Sequence, residues 1–199
     1  AGYDWWNPYC SSNEMGDNTY YSYLPYFALY KFVKSANDVI AVVDVTDPTI
    51  SDEMRGYGSM AHAFRALDYY TLMALFEPVE NIYTDCSKIL GLTVPIVTEA
   101  TTNDMAKNNP RATREEMMAF ILSDLDKAEI GLTDYTPATK NFPSLAVVYG
   151  LKAKVYMWDE NYAKAAEYAR KAIDKSGATP MSESQWHNPT TGFNTATSA

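Results

Sequence analysis

The sequence predicts an all-α fold of helical hairpins joined by long irregular loops. Three observations carry this expectation. Almost every strong hydrophobic period in the 199 residues is helical rather than alternating. Prolines and capping residues cut those periods into separate helices. The stretch from Ala146 to Gly177, AVVYGLKAKVYMWDENYAKAAEYARKAIDKSG, reads as two short helices folded back on each other.

Pro25 suits the first turn of a helix, where a missing N–H leaves no hydrogen bond unmade. Leu29, Val33, Ala36, Ile40 and Val43 then hold one stripe. That helix is predicted to stop near Asp47-Pro48, because proline restricts the residue before it. From Met54 to Phe76, Ala63, Leu67, Tyr70 and Ala74 share a face, and other apolar residues spread further round. A helix buried on several sides is expected there, ended by Glu77-Pro78. Residues 77–112 are irregular, with an extended run Leu92-Thr93-Val94-Pro95-Ile96-Val97 whose proline argues against a central strand. Thr113-Arg114-Glu115-Glu116 matches a capping box, in which Thr and Glu each satisfy the other's free backbone donor. Met117, Phe120, Ile121, Leu125 and Ala128 follow on one side, with Gly131 as the expected stop and 133–143 as a loop.

In the closing pair, Tyr149, Ala153 and Tyr156 fall at i, i+4 and i+7, and Ala165, Ala169 and Ala172 repeat that spacing after Tyr162. Small residues on facing stripes let two helices approach closely, while the tyrosines fill the gaps beside them. Asp159-Glu160-Asn161 is a short polar connection of the kind that makes antiparallel neighbours. The alternation is tetratricopeptide-like over 146–175. The tail 176–199 is rich in Ser, Thr, Asn, Gly and Pro, yet carries Trp186 and Phe193, and reads as the start of an incomplete further region.

Composition narrows the function. A net charge of −9 argues against nucleic acid or an anionic membrane as partner, since both need a basic face. No apolar run is long enough to span a bilayer. The opening AGYDWWNPYC has no basic or apolar leader, so the chain reads as a trimmed piece. Cys10 and Cys86 are far apart in no C-x-x-C motif; they read as unpaired thiols, with a disulfide between them left open. The 16 Tyr and 4 Trp are core fillers in the main, but such rings also serve at wet binding surfaces.

The order of segments resembles the SusD/RagB family. Lys31 to Val43, KFVKSANDVIAVV, is similar to the family helix with an "aN" step, here Ala36-Asn37. Phe64-Arg65-Ala66 with Tyr69-Tyr70 and Phe76 resembles "FLRA…YY", although the leucine is missing, and residues 77–93 read as an insertion. Val94-Pro95-Ile96-Val97-Thr98 resembles "VPLVT". Arg111-Ala112-Thr113 with Glu115-Glu116 and Asp124-Leu125 through Ala128 resembles "RATxEEV…IxxDLxxA". The resemblance implies that residues 1–199 are the N-terminal helical part of a longer, non-catalytic glycan-binding lipoprotein at the bacterial outer-membrane surface. It further implies delivery of an oligosaccharide or polysaccharide fragment to a SusC-like, TonB-dependent transporter, and a lipid-bearing cysteine upstream of Ala1.

A pyranose packs its C–H face on aromatic rings and its hydroxyls on polar side chains. Tyr3, Trp5, Trp6 and Asn7 supply that combination ahead of the first long helix and are the candidate ligand-binding residues. No cofactor and no metal are expected. His62 sits among apolar residues as a core histidine, and His187 has no evident reason to meet it. Asp44, Asp47, Asp52 and Glu53 lack the alternation of a calcium loop and read as a solvated turn. Two other classes stay open. A tetratricopeptide-type adaptor would bind peptides, but its repeat should recur about every 34 residues. A helical glycoside hydrolase would need two carboxylates roughly 5–10 Å apart across a cleft, and no recognisable pair stands out.

Overall fold

A computed structural model describes residues 20–188 and 190, and among them the chain forms seven α-helices and no strand. They are α1 (Tyr20–Ile40), α2 (Asp52–Phe76), α3 (Asn103–Lys107), α4 (Arg114–Leu132), α5 (Leu145–Trp158), α6 (Tyr162–Ser176) and α7 (Glu183–Trp186). The long helices pack in sequence, α1 on α2, α2 on α4, α4 on α5 and α5 on α6. One core joins them, with Val33, Tyr69, Leu72, Met117, Ile121, Leu125 and Val148 at its centre.

Two ends of α1 differ from the expectation. Pro25 lies inside the helix, past its first turn, where it removes one backbone hydrogen bond without ending the helix. At the other end α1 stops at Ile40, well before Asp47-Pro48. The chain turns there so that Val43 and Val45, both buried, can press on Gly58. A Cβ at Gly58 would stand 2.6 Å from Val43 Cγ1, so only glycine lets the turn close against α2.

Helix α2 is buried on several sides, as its spread of apolar residues suggests. Its phase is not the predicted one. Ala63 is buried and Tyr70 half-buried, but Leu67 and Ala74 are exposed. The stripe that enters the core runs through His62, Arg65, Tyr69 and Leu72 instead. Ser51 opens the helix by accepting from the Met54 amide at 3.2 Å.

Thr113 and Glu116 form the capping box in full at the start of α4. Gly131 does not stop that helix, which runs on to Leu132. A Cβ on Gly131 would lie 2.6 Å from the Arg55 carbonyl oxygen and 2.4 Å from Ser59 Oγ, so glycine here sets how closely α2 and α4 approach.

The α5–α6 hairpin matches its prediction closely. Ala153 and Ala165 are buried at its seam. Tyr168 stacks on Tyr156 with centroids 5.5 Å apart and also meets Tyr149 at 6.1 Å. Asn161 caps α6, accepting from the Lys164 amide, and Gly177 closes it in the left-handed region at φ 61°. Lys152 is buried under this hairpin and paired with Asp126 and Glu129 of α4.

Candidate functional site

The extended segment 92–97 has almost no ladder. Thr93 donates to the Ala112 carbonyl at 2.7 Å and Ala112 to Val94 at 3.2 Å, and Leu92 bridges Thr113. From Pro95 onward, side chains hold it. Tyr30 donates its hydroxyl to the Pro95 carbonyl at 2.5 Å, and Asn109 Nδ2 to that of Ile96 at 2.7 Å. Asn37 Nδ2 donates to the Val97 carbonyl at 3.0 Å. Tyr69 serves both sides of Val97, donating to its carbonyl at 2.9 Å and accepting from its amide at 2.7 Å.

Behind that segment lies a buried polar hub. Arg65, 2% exposed, reaches both carboxylate oxygens of Asp124 at 2.7 Å through Nε and Nη2. Its Nη1 donates to Asn37 Oδ1 and Glu99 Oε2, each at 2.6 Å. His62 Nδ1 lies 2.8 Å from Asp124 Oδ1. Burial alone would raise the Asp124 carboxyl, but hydrogen bonds from Arg65 and His62 hold it below the usual carboxylate range. Glu99 follows the same logic, its partial burial outweighed by Arg65. With every member engaged, this hub is scaffolding: it ties α1, α2, α4 and the extended segment together.

A second feature is a groove of about 600 Å³ between α1 and α2. Phe32 and Val39 line one wall, Phe64 and Leu67 the other, and Phe142 leans in from the loop before α5. Asp68 is the charged residue in this lining.

Tyr3, Trp5, Trp6 and Asn7 lie outside the described residues, as does Cys10. Cys86 is buried, its sulfur 3.7 Å from the Val79 carbonyl oxygen. His62 is the core histidine its surroundings imply. In the acidic turn, Asp44 and Asp47 accept from the amides and hydroxyls of Thr46 and Thr49, which lowers both carboxyls. Asp52 pairs with Arg55, and Glu53 accepts from Tyr57. These carboxylates build a turn and a helix start, and no metal-holding cluster occurs among the described residues.

The motif letters of the sequence converge on this hub. Val97, Asn37, Arg65 and Asp124 come from four separate stretches and are joined in that order by hydrogen bonds. A family model described as SusD-like, "starch-binding associating with outer membrane", matches residues 3–157. The chain belongs to the SusD-like family.

Solved SusD-like proteins share its fold. One, a SusD-like carbohydrate binding protein from Bacteroides vulgatus ATCC 8482, is 21% identical with a TM-score of 0.67, covering 82% of this chain and 33% of that one. A SusD superfamily protein from Bacteroides thetaiotaomicron VPI-5482 is 25% identical, with a TM-score of 0.62 over 80% and 33% of the two chains. A laminarin binding SusD-like protein is 19% identical, with a TM-score of 0.59 over 81% and 32%. The present chain therefore spans about a third of the length of these relatives. Among curated proteins nothing matches.

The sequence reading missed the hub as a unit. Its signal was a charged residue on each of two core stripes, Arg65 between Phe64 and Ala66 and Asp124 beside Leu125. Two opposite charges in apolar helical company are best explained by each other.

Proposed function

We propose that this SusD-like chain is the N-terminal helical part of a non-catalytic glycan-binding protein at the bacterial cell surface. In this reading it captures an oligosaccharide and hands it to a TonB-dependent transporter in the outer membrane. The observation that carries the reading is the match of the starch-binding, outer-membrane-associating family model over residues 3–157. A laminarin binding SusD-like protein among the structural neighbours supports a glycan as ligand. No described helix is long and apolar enough to cross a membrane.

Within this proposal Tyr3, Trp5, Trp6 and Asn7 contact the sugar: the indoles pack on its C–H faces and Asn7 pairs with a hydroxyl. The buried carboxylates Asp124 and Glu77 are held by Arg65 and Arg114, which leaves neither free to protonate a glycosidic oxygen.

The test is affinity electrophoresis of the chain against a panel of starch-type and laminarin-type glucans, with released reducing ends assayed in parallel. Retardation by a glucan without new reducing ends is the expected result. Sugar turnover would instead make the protein a hydrolase. Peptide binding with no glycan binding would make it an adaptor. Co-purification with an outer-membrane β-barrel from the native host tests the transporter step.

A further inference from the structure

Ile82 and Tyr83, 91% and 89% exposed, are the most exposed large apolar side chains described. They are neighbours in sequence, and the loop that carries them is internally braced. Its neck closes where the buried Cys86 sulfur lies 3.7 Å from the Val79 carbonyl oxygen. Inside the neck, Asn81 Nδ2 donates to that same carbonyl at 3.0 Å. Asn81 Oδ1 accepts from the amides of Tyr83 and Thr84 at 2.9 and 3.0 Å. Asp85 accepts from the Ser87 amide at 3.0 Å on the return. Residues 80–85 form a tip exposed along its whole length, with Val79, 71% exposed, at its base.

Apolar side chains displayed together on an ordered tip mark a contact surface. The tip falls within residues 77–93, which read as an insertion between the segments that carry the family resemblance, so a cover common to the family is not expected. A glycan suits the tip poorly, because Asn81 uses its amide inside the loop and Ile82 has nothing for a hydroxyl. A protein suits it poorly too, since two side chains on a convex tip fall far short of the roughly 800 Å² per partner that a stable interface buries. A lipid interface needs no matching surface. Tyrosine sits at its headgroup level, and isoleucine favours the acyl chains. The matching family model is described as associating with the outer membrane. The charged residues of 79–86, Glu80 and Asp85, are both acidic, and Lys88 is the one cation of 77–93. With a net charge of −9 behind them, they select a zwitterionic surface over an anionic one.

We infer that residues 79–86 form a shallow membrane-contact loop, with Ile82 among the acyl chains and Tyr83 at the headgroups of a zwitterionic lipid surface. The loop takes its outer-membrane setting from the proposal above and nothing from its sugar.

The probe is phosphatidylcholine vesicles, with partition of the chain followed by flotation. The wild-type chain should float with the vesicles. Ile82→Ser combined with Tyr83→Ser should weaken partition at least tenfold. Doping the vesicles with anionic phosphatidylglycerol should weaken wild-type binding. On dodecylphosphocholine micelles carrying a spin-labelled lipid, line broadening should centre on the amides of residues 81–84. Four results would overturn this assignment: a wild-type chain that stays out of the vesicle layer, equal partition of the double variant, stronger binding to the anionic vesicles, or broadening centred elsewhere. Exclusion from the vesicles would turn the tip toward a protein partner. Both substitutions lie on the exposed tip, and the wild-type broadening map decides the matter without them. Failure here leaves glucan retardation untouched, whereas lost retardation with vesicle binding intact removes the sugar reading alone.

Discussion

Arg65 and Asp124 meet across the α2–α4 interface as a bidentate pair, two guanidinium nitrogens on two carboxylate oxygens at 2.7 Å, each side chain 2% exposed. Such a pair fixes orientation as well as distance, since the planar fork fits the carboxylate in one plane only. The remaining guanidinium nitrogen points toward Asn37 and Glu99, so the register of α2 on α4 also sets where α1 and the extended segment dock.

Removing one partner should cost far more than removing both. Arg65→Met leaves Asp124 buried and uncompensated, with an expected loss of about 3–5 kcal/mol in urea unfolding. Arg65→Met combined with Asp124→Leu should recover a substantial part of that loss. Additive losses in the double variant would show that the two residues act separately.

The hub and the groove should give stability opposite responses to pH. Asp124 and Glu99 have folded-state carboxyls held below their ordinary values of 3.8 and 4.5. Their contribution is present above those values and is lost as pH falls through and below them. The urea midpoint should therefore drop steeply below about pH 4.

Asp68 runs the other way. Its folded-state carboxyl is raised from 3.8 to about 7, so the folded chain holds the proton that the unfolded chain has released. Stability from this group is present below about pH 4 and is lost as pH rises toward 7. Asp68→Leu should flatten that slope and raise stability at pH 8 by roughly 1–2 kcal/mol, allowing for solvent at the groove mouth. Urea midpoints at pH 5 and pH 8 for both proteins check it, and an unchanged slope in the variant would remove Asp68 as its source.

The α5–α6 seam has no spare room. Ala165 is 4% exposed, the one fully buried residue of α6, and faces α5. Ala165→Trp should destabilise the chain by on the order of 1–3 kcal/mol or more by overpacking that seam. Ala166→Trp, at an exposed neighbouring position, should be tolerated, with thermal melts of both as the comparison.

Trp5→Ala should leave the melting temperature nearly unchanged and weaken retardation by whichever glucan the chain binds. A large fall in melting temperature would make the indole structural and remove it from the proposed sugar contact.

What the sequence made legible follows physical lines. The α5–α6 hairpin could be read because its seam is built from contacts within a few helical turns, Ala against Ala with Tyr beside them. The Thr113 cap was legible for the same reason, four consecutive residues satisfying one another. The phase of α2 was not, because hydrophobicity places arginine outside, and only the distant Asp124 makes Arg65 a core residue. Gly131 read as a helix stop because its reason for being glycine, the Arg55 carbonyl, lies on another helix. The proposed sugar contacts at Tyr3, Trp5, Trp6 and Asn7 fall outside the described residues.

The double hydrogen bond between Tyr69 and Val97 carries a consequence for the order of assembly. Helical hairpins close on neighbours a few residues away, whereas Pro95 and Val97 wait for side chains 28 to 65 positions distant. That segment can lock only once α1 and α2 already stand side by side, so it is among the last parts to settle and the first to loosen. The Val97 amide proton, shielded by a phenol oxygen rather than a backbone carbonyl, becomes a natural clock for that loosening. Its exchange with deuterated water should outpace that of Val155 in α5, timing the swing of one tyrosine ring.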